Sequence, residues 1–258
     1  MYGAVIGDLA GSKYEYAQAK EIKPVRVRRI IEDDSFYSDD TILTIAVLDA
    51  ILHDRDYEKY LRKYIHEYMN YKPNFKPYFD TAFSPGLIRW STGNTVGCSR
   101  GNGAMMRISP VGYLFDTEED VIENARLATI PSHNSKEAVD AATKIALIIF
   151  YLRKGLTKEE IFEKLNIEPK YRTFTKFNTR CFETIDNCIS TFNDANSFEG
   201  AINRILLLGG DTDTNACIVG SMAEALHGVK EDLIKRAEEK IPEEFVKVLR
   251  KGYERIRK

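Results

Sequence analysis

The chain has 258 residues, enough for one large domain or two small ones, and its 37 Lys and Arg against 39 Asp and Glu leave a formal net charge of −2. So even a balance supplies no basic field to hold a polyanion by counterion release, and nucleic acid is not expected as a partner. Hydrophobic residues at 43% and charged residues at 29% describe a globular chain; its longest apolar run, Ile145 to Leu152, is far below the roughly 18 residues of a membrane span.

In chain order, Met1 to Ala10 is apolar but carries Asp8 and no basic stretch, so a secretory leader is not expected and the cytosol is the expected compartment. Gly3, Gly7 and Gly11 recur on one helical face; glycine inside a helix costs about 1 kcal/mol relative to alanine, which the close approach of another backbone would offset. Val25 to Ile31 is the one period-2 candidate for a strand. Asp40 to His53 reads as a helix, followed by a stripe of Tyr57, Tyr60, Leu61, Tyr64, Ile65, Tyr68 and Met69 at helical spacing, better suited to core packing than to base stacking. Breaks fall at Lys72 to Pro85, Ser91 to Gly103 and Glu168 to Thr179, and helices are expected over Glu118 to Thr129, Lys136 to Lys154, Thr157 to Leu165, Phe182 to Phe192, Phe198 to Leu208, Thr214 to His227 and Glu243 to Arg257. No long linker or repeat divides them, so one all-α domain over residues 1–258 is expected. Cys98, Cys181, Cys188 and Cys217 lie at no disulfide or zinc spacing and read as buried, reduced thiols.

Three polar clusters interrupt these apolar helices. Asp8 and Glu15 lie seven residues apart, on nearly one helical face. Ser38-Asp39-Asp40-Thr41 opens a helix; capping alone accounts for such residues, but two carboxylates and a hydroxyl in so small a volume also suit a hard divalent cation. In Gly209-Gly-Asp-Thr-Asp-Thr-Asn-Ala216 the two acids would point about 200° apart on a helix, so a turn allowed by the glycine pair is needed to bring Asp211 and Asp213 to one point. A cap uses one such group, and here there are five. If Glu15, Asp39, Asp40, Asp211 and Asp213 converge, their repulsion calls for cations, and the absence of His or Cys partners favours hard metals such as Mg²⁺, Mn²⁺ or Ca²⁺ over zinc. The glycine-rich stretch Gly93 to Pro110, with Ser99 and Asn102, could expose backbone N–H groups to an anion, although it is neither a Walker A loop nor a dinucleotide fingerprint.

The order Gly-Asp-x-x-Gly-Ser-x-x-Glu, Ser-Asp-Asp-Thr, Gly-Asn-Gly-Ala-x-Met-Arg, Ser-His and Gly-Gly-Asp-Thr-Asp-Thr-Asn-Ala resembles the ADP-ribosylglycohydrolase family, from Gly3 to about Gly220. The resemblance implies a compact, orthogonal multi-helix domain with a dinuclear Mg²⁺ or Mn²⁺ cleft. Two such ions would be held by Ser38, Asp39, Asp40, Asp211, Asp213 and Thr214. Glu15 takes the place of the family's acid after Gly-Ser; Glu15, Asp39 and Asp40 are the expected proton-handling residues, with the choice of base left open. Ser99, Gly101, Asn102 and Gly103 resemble the loop that holds the pyrophosphate and distal ribose, and His133 a ligand-contacting histidine. Cys98 and Arg100 depart from the glycine and aromatic of well-known members, and the flanks of Asp80 do not match the further acid some bacterial relatives carry. The implied reaction is hydrolysis of an N- or O-glycosidic bond between ADP-ribose and a protein side chain or small acceptor, by a monomer without membrane or nucleic-acid partners. A non-catalytic ADP-ribose binder is the alternative; a diphosphate enzyme of the Asp-Asp-x-x-Asp type is disfavoured, because Leu43 stands where the third acid would be.

Overall fold

The computed structural model describes residues 1–72, 81–173, 176–177 and 179–256. Helix α1 (Tyr2–Lys20) is buried on every side through Ser12, which is why its sequence shows no amphipathic stripe. It runs antiparallel to α12 (Thr212–His227), itself buried from Thr212 to Ala223. Between them lie α2 (Asp39–Leu52), α3 (Tyr57–Glu67), α4 (Pro85–Thr92), α5 (Gly103–Met106), α6 (Ser109–Leu114), α7 (Glu118–His133), α8 (Lys136–Arg153), α9 (Lys158–Lys164), α10 (Cys181–Asp194) and α11 (Phe198–Leu208); α13 (Glu231–Glu238) and α14 (Glu243–Ile256) follow.

The glycine spacing in α1 has the cause the sequence implied. A Cβ on Gly3 would stand 2.2 Å from the Gly220 carbonyl oxygen, one on Gly7 2.1 Å from that of Ala216, and one on Gly11 2.3 Å from that of Thr212. Each step of four in α1 meets a step of four in α12, so the ladder fixes the separation of the helices and also their register. Register places Glu15, one turn beyond Gly11, against the entrance of α12. That entrance is shaped by Gly209 and Gly210, at φ +69° and +81°, in the left-handed region that glycine tolerates. The Gln18 carboxamide oxygen accepts from Gly210 N at 3.1 Å and so ties the turn to α1.

The tyrosine stripe of α3 packs as expected, with Tyr57, Tyr60, Leu61, Tyr64 and Ile65 buried. Val25 to Ile31 is not a strand: Val25 N donates to Leu206 O at the end of α11, and no strand is found among the described residues. Period-2 alternation without a second extended segment has no ladder to join. Cys181, Cys188 and Cys217 are buried and free as expected, whereas Cys98 is free but exposed. Helices α4, α6 and α13 were not anticipated. All three are short, eight, six and eight residues, and α4 lies between two breaks, although Ser84 caps it through Leu87 N and Pro85 occupies its first turn.

Candidate active site

Three chain segments meet beside the α1–α12 contact. Asp8 sits inside buried α1 and reaches sideways to the start of α2: its Oδ2 accepts from Ser38 N at 2.8 Å, Thr41 N at 3.1 Å and Thr41 Oγ1 at 2.6 Å. A carboxylate of another helix therefore satisfies N–H groups that the first turn of α2 leaves open. Ser38 is itself the N-cap, its Oγ accepting from Asp40 N at 3.2 Å. The loop before it is held by Ser12 Oγ donating to Phe36 O. At the entrance of α12, Asp211 occupies the capping position and Asp213 lies in the first turn. Thr214 Oγ1 donates to Asp40 Oδ2 at 3.3 Å, linking α12 to α2.

These placements form two carboxylate groups, Asp8 with Asp40 and Asp213, and Glu15 with Asp211 and Asp213, the oxygens of each within 4.8 Å of one another. Asp213 belongs to both. Burial raises every one of these carboxyls. Asp8 is pushed up to about 7, first by burial and then by the charge of Asp213. Glu15, Asp40 and Asp213 rise well above the usual carboxylate range, again by burial first and acidic neighbours second, and Asp211 rises less steeply, with Asn102 Nδ2 donating to its Oδ2 at 2.7 Å. Half-buried Asp39 is raised in the same way, and the Arg107 guanidinium offsets part of it. Buried Asp8 Oδ1 and Asp40 Oδ1 make no hydrogen bond. Acceptors left bare in a cluster of acids are what hard cations would satisfy, so the all-oxygen donor set fits a hard divalent cation on chemical grounds.

Glu15, Asp40, Asp211 and Asp213 line a cavity of about 580 Å³, with Asp8 behind its lining. Asp39 lines it too, outside both carboxylate groups. The 97–103 loop forms another wall. Gly97 N donates to Pro131 O and Ser99 N to Ser132 O, while Asn102 N donates to Thr179 O, so the loop is stitched both to the end of α7 and to the approach of α10. Gly97 is needed there, since a Cβ would meet Ser132 O at 2.3 Å. Ser99 Oγ accepts from Gly101 N at 3.0 Å, and His133 lies behind Gly101 and Gly103. Phe83, Leu87 and Trp90 make an apolar wall, in which the buried Trp90 indole N–H has no partner.

The structure thus brings together every site residue expected from sequence: Glu15, Ser38, Asp39, Asp40, Ser99, Gly101, Asn102, Gly103, His133, Asp211, Asp213 and Thr214 all line this cavity. Asp80 lies outside the described residues. Sequence reasoning gave no site role to Asp8, although it noted that residue's shared face with Glu15, nor to Arg107, although it closes the Gly-Asn-Gly-Ala-x-Met-Arg motif, and it passed over Trp90. For Asp8 a signal existed, a carboxylate within a helix too apolar to have a wet face. Arg107 is fully buried, with Nε and Nη1 unpartnered, and is the one lysine or arginine among the described residues lining the cavity.

A family model for ADP-ribosylglycohydrolases matches residues 1–258, and the chain belongs to that family. A protein of Acanthamoeba polyphaga mimivirus, provisionally named an ADP-ribosyl glycohydrolase, is 23% identical over 87% of this chain and 84% of its own length. A solved ADP-ribosylglycohydrolase-related protein complex superposes with a TM-score of 0.68 at 21% identity, over 99% of this chain and 92% of that one, a likeness of fold. Among the described residues, no helix is long and apolar enough to cross a membrane.

Proposed function

We propose that this protein is an ADP-ribosyl glycohydrolase, cleaving the bond between the distal ribose of an ADP-ribosyl group and a nitrogen or oxygen of a protein side chain or small acceptor. The observation that carries the reading is the convergence of Glu15, Asp40, Asp211 and Asp213, from three distant segments, in a cavity that a glycine-rich loop also lines. In this reading Ser38, Asp39, Asp40, Asp211, Asp213 and Thr214 would hold two divalent cations, Mg²⁺ or Mn²⁺, with Asp8 contributing its free oxygen. Such ions, when bound, lower the pKa of a water and stabilise charge at an oxocarbenium-like carbon.

The chain's own residues supply the rest. Asn102 holds Asp211 by its carboxamide, and Ser38 and Thr214 hold Asp40, so the acids are oriented before substrate arrives. Glu15, Asp39 and Asp40 are the groups that would take the proton of the attacking water; Glu15 and Asp39, being half-buried, combine a place in the acid cluster with access to substrate. The Ser99 to Gly103 loop offers a backbone against which a pyrophosphate can lie. We read the chain as one domain acting as a monomer in the cytosol. The test is parallel incubation with ADP-ribosyl-arginine, ADP-ribosyl-serine and O-acetyl-ADP-ribose, with and without Mg²⁺, following ADP-ribose release. Release from one substrate only with metal is the expected result; tight ADP-ribose binding without release from any of them would make it a binder.

A further inference from the structure

The segment Ala128 to His133 carries a hydrogen-bond chain that no part of the acid cluster uses. Arg107 Nη2 donates to Ser132 Oγ at 2.8 Å and to Ala128 O at 3.3 Å, and stands 3.5 Å from His133 Nδ1. Ser132 Oγ lies 2.7 Å from the same Nδ1. A guanidinium has donors and no acceptor, so the direction of the first bond is fixed. Ser132 Oγ therefore accepts from Arg107 and has its single hydrogen left to donate to His133 Nδ1. A proton on Nδ1 would point at a guanidinium N–H 3.5 Å away that has no lone pair to receive it, whereas a bare Nδ1 accepts the hydroxyl hydrogen. The ring is buried and close to that cation, which holds its pKa well below the usual histidine value and keeps it neutral. At the other end, Nε2 faces the loop: a Cβ on Gly103 would lie 3.4 Å from it and one on Gly101 3.6 Å.

We infer that Arg107 and Ser132 are positioning residues that hold the ring proton of His133 on Nε2, so that the ligand group seated against Gly101 and Gly103 must be an oxygen acceptor. In the functional reading above, on which this ligand assignment rests, that group is a phosphate oxygen of the ADP-ribosyl moiety. The histidine then gives direction as well as contact: it rejects a donor at this place and accepts an anion without carrying charge. The two remaining nitrogens of Arg107 keep positive potential behind the ring, favouring the same sign of ligand.

Two measurements test it. Protein labelled with ¹⁵N-histidine, free of ligand, contains four histidines, and His133→Gln identifies the His133 signals. The expected spectrum near pH 7 has one protonated ring nitrogen, coupled to both ring C–H protons as Nε2 is, and one bare nitrogen. Arg107→Met removes the guanidinium that faces Nδ1, and an Nδ1-protonated population should then appear. A wild-type ring protonated on Nδ1, or on both nitrogens, overturns the proposal, as does an unchanged single tautomer in folded Arg107→Met protein. Calorimetry with ADP-ribose and Mg²⁺ forms the second arm. His133→Leu should lose roughly tenfold or more in affinity, while His133→Gln, which retains a donor, should stay within about threefold of wild type. Equal affinities in all three proteins refute the ligand contact. No ADP-ribose binding by the wild type refutes the functional reading and the phosphate assignment with it, whereas the tautomer is read without any ligand.

Discussion

The two ends of the α1–α12 contact are built on one geometric rule and do opposite things. At the Gly3–Gly220 and Gly7–Ala216 end the helices touch backbone to backbone among fully buried apolar side chains. One turn past Gly11 the same register delivers Glu15, Asp211 and Asp213, whose mutual repulsion opposes the packing that brings them together. One end supplies stability; the other uses some of it to hold like charges within reach of each other. A chain can sustain a repulsive site when the contact that positions it is rigid in both distance and register.

The largest expected effect comes from breaking the rigid end. Gly7→Val places side-chain carbon where the Ala216 carbonyl stands, and backbone cannot step aside as a side chain can. The expected loss exceeds about 3 kcal/mol, beyond ordinary overpacking. Thermal unfolding should show a much lower Tm or no cooperative transition, with activity lost alongside.

Next is removal of the cations that the proposed function assigns to the repulsive end. Chelation should abolish ADP-ribose release and lower the Tm, and Mg²⁺ or Mn²⁺ should restore both, since a ligand that binds only the folded state stabilises it. Full turnover by protein shown metal-free by elemental analysis would end the dinuclear reading. Asp213→Asn sharpens the same comparison by removing one charge at nearly constant shape. Turnover should fall by roughly 100-fold or more. The metal-free protein, by contrast, should gain a few degrees in Tm as repulsion is relieved. A residue that only capped α12 would show neither change, because Asn caps about as well as Asp.

A smaller effect is expected from pH. The cluster carboxyls have folded-state pKa values raised above those of the unfolded chain, Asp8 to about 7, so the folded protein holds more protons across that interval. Stability of the metal-free protein should therefore fall as pH rises from 5 to 8, by roughly 5 °C in Tm, and the slope should weaken when divalent cation replaces the protons. An unchanged or rising Tm over that range would mean the acids do not repel as described. The smallest effect belongs to Gly103→Ala, whose Cβ would meet His133 Nε2 at an ordinary 3.4 Å. Stability should change by less than about 1 kcal/mol, while ADP-ribose affinity falls severalfold, because the methyl stands where the ligand's oxygen would sit.

How much of this was legible in the sequence follows from the range of each cause. The glycine ladder could be read because its penalty is local: three glycines on one face of an apolar helix demand a neighbouring backbone, although not its identity. The acid set could be read because the groups at the start of α12 exceed what a cap uses, and with Glu15 and the Ser38 to Thr41 segment they crowd five carboxylates that call for cations. The apolar wall of Phe83 and Trp90 could not, since a tryptophan at the end of a short helix looks like any core residue until the cavity beside its unpartnered N–H is seen. Arg107 closes the Gly-Asn-Gly-Ala-x-Met-Arg motif, but nothing there announced its burial. Its burial is a tertiary fact, and next to Met106 and Ile108 its charge would ordinarily be expected to reach solvent. Val25 to Ile31 misled because alternation is necessary for a strand and never sufficient.

The pairing of α1 with α12 also bears on how the chain is made. Tyr2 to Ala10 has almost no polar face, and the helix that covers it begins at Thr212. Some 200 residues must leave the ribosome between the two, which at about 5–20 residues per second leaves the apolar segment without its partner for roughly 10–40 s. Throughout that interval Gly3, Gly7 and Gly11 keep the nascent helix weak and pliant, so the segment is free to be shielded by a chaperone or to wait as coil. The glycines that make the finished contact so close also keep the waiting strip of chain from committing early.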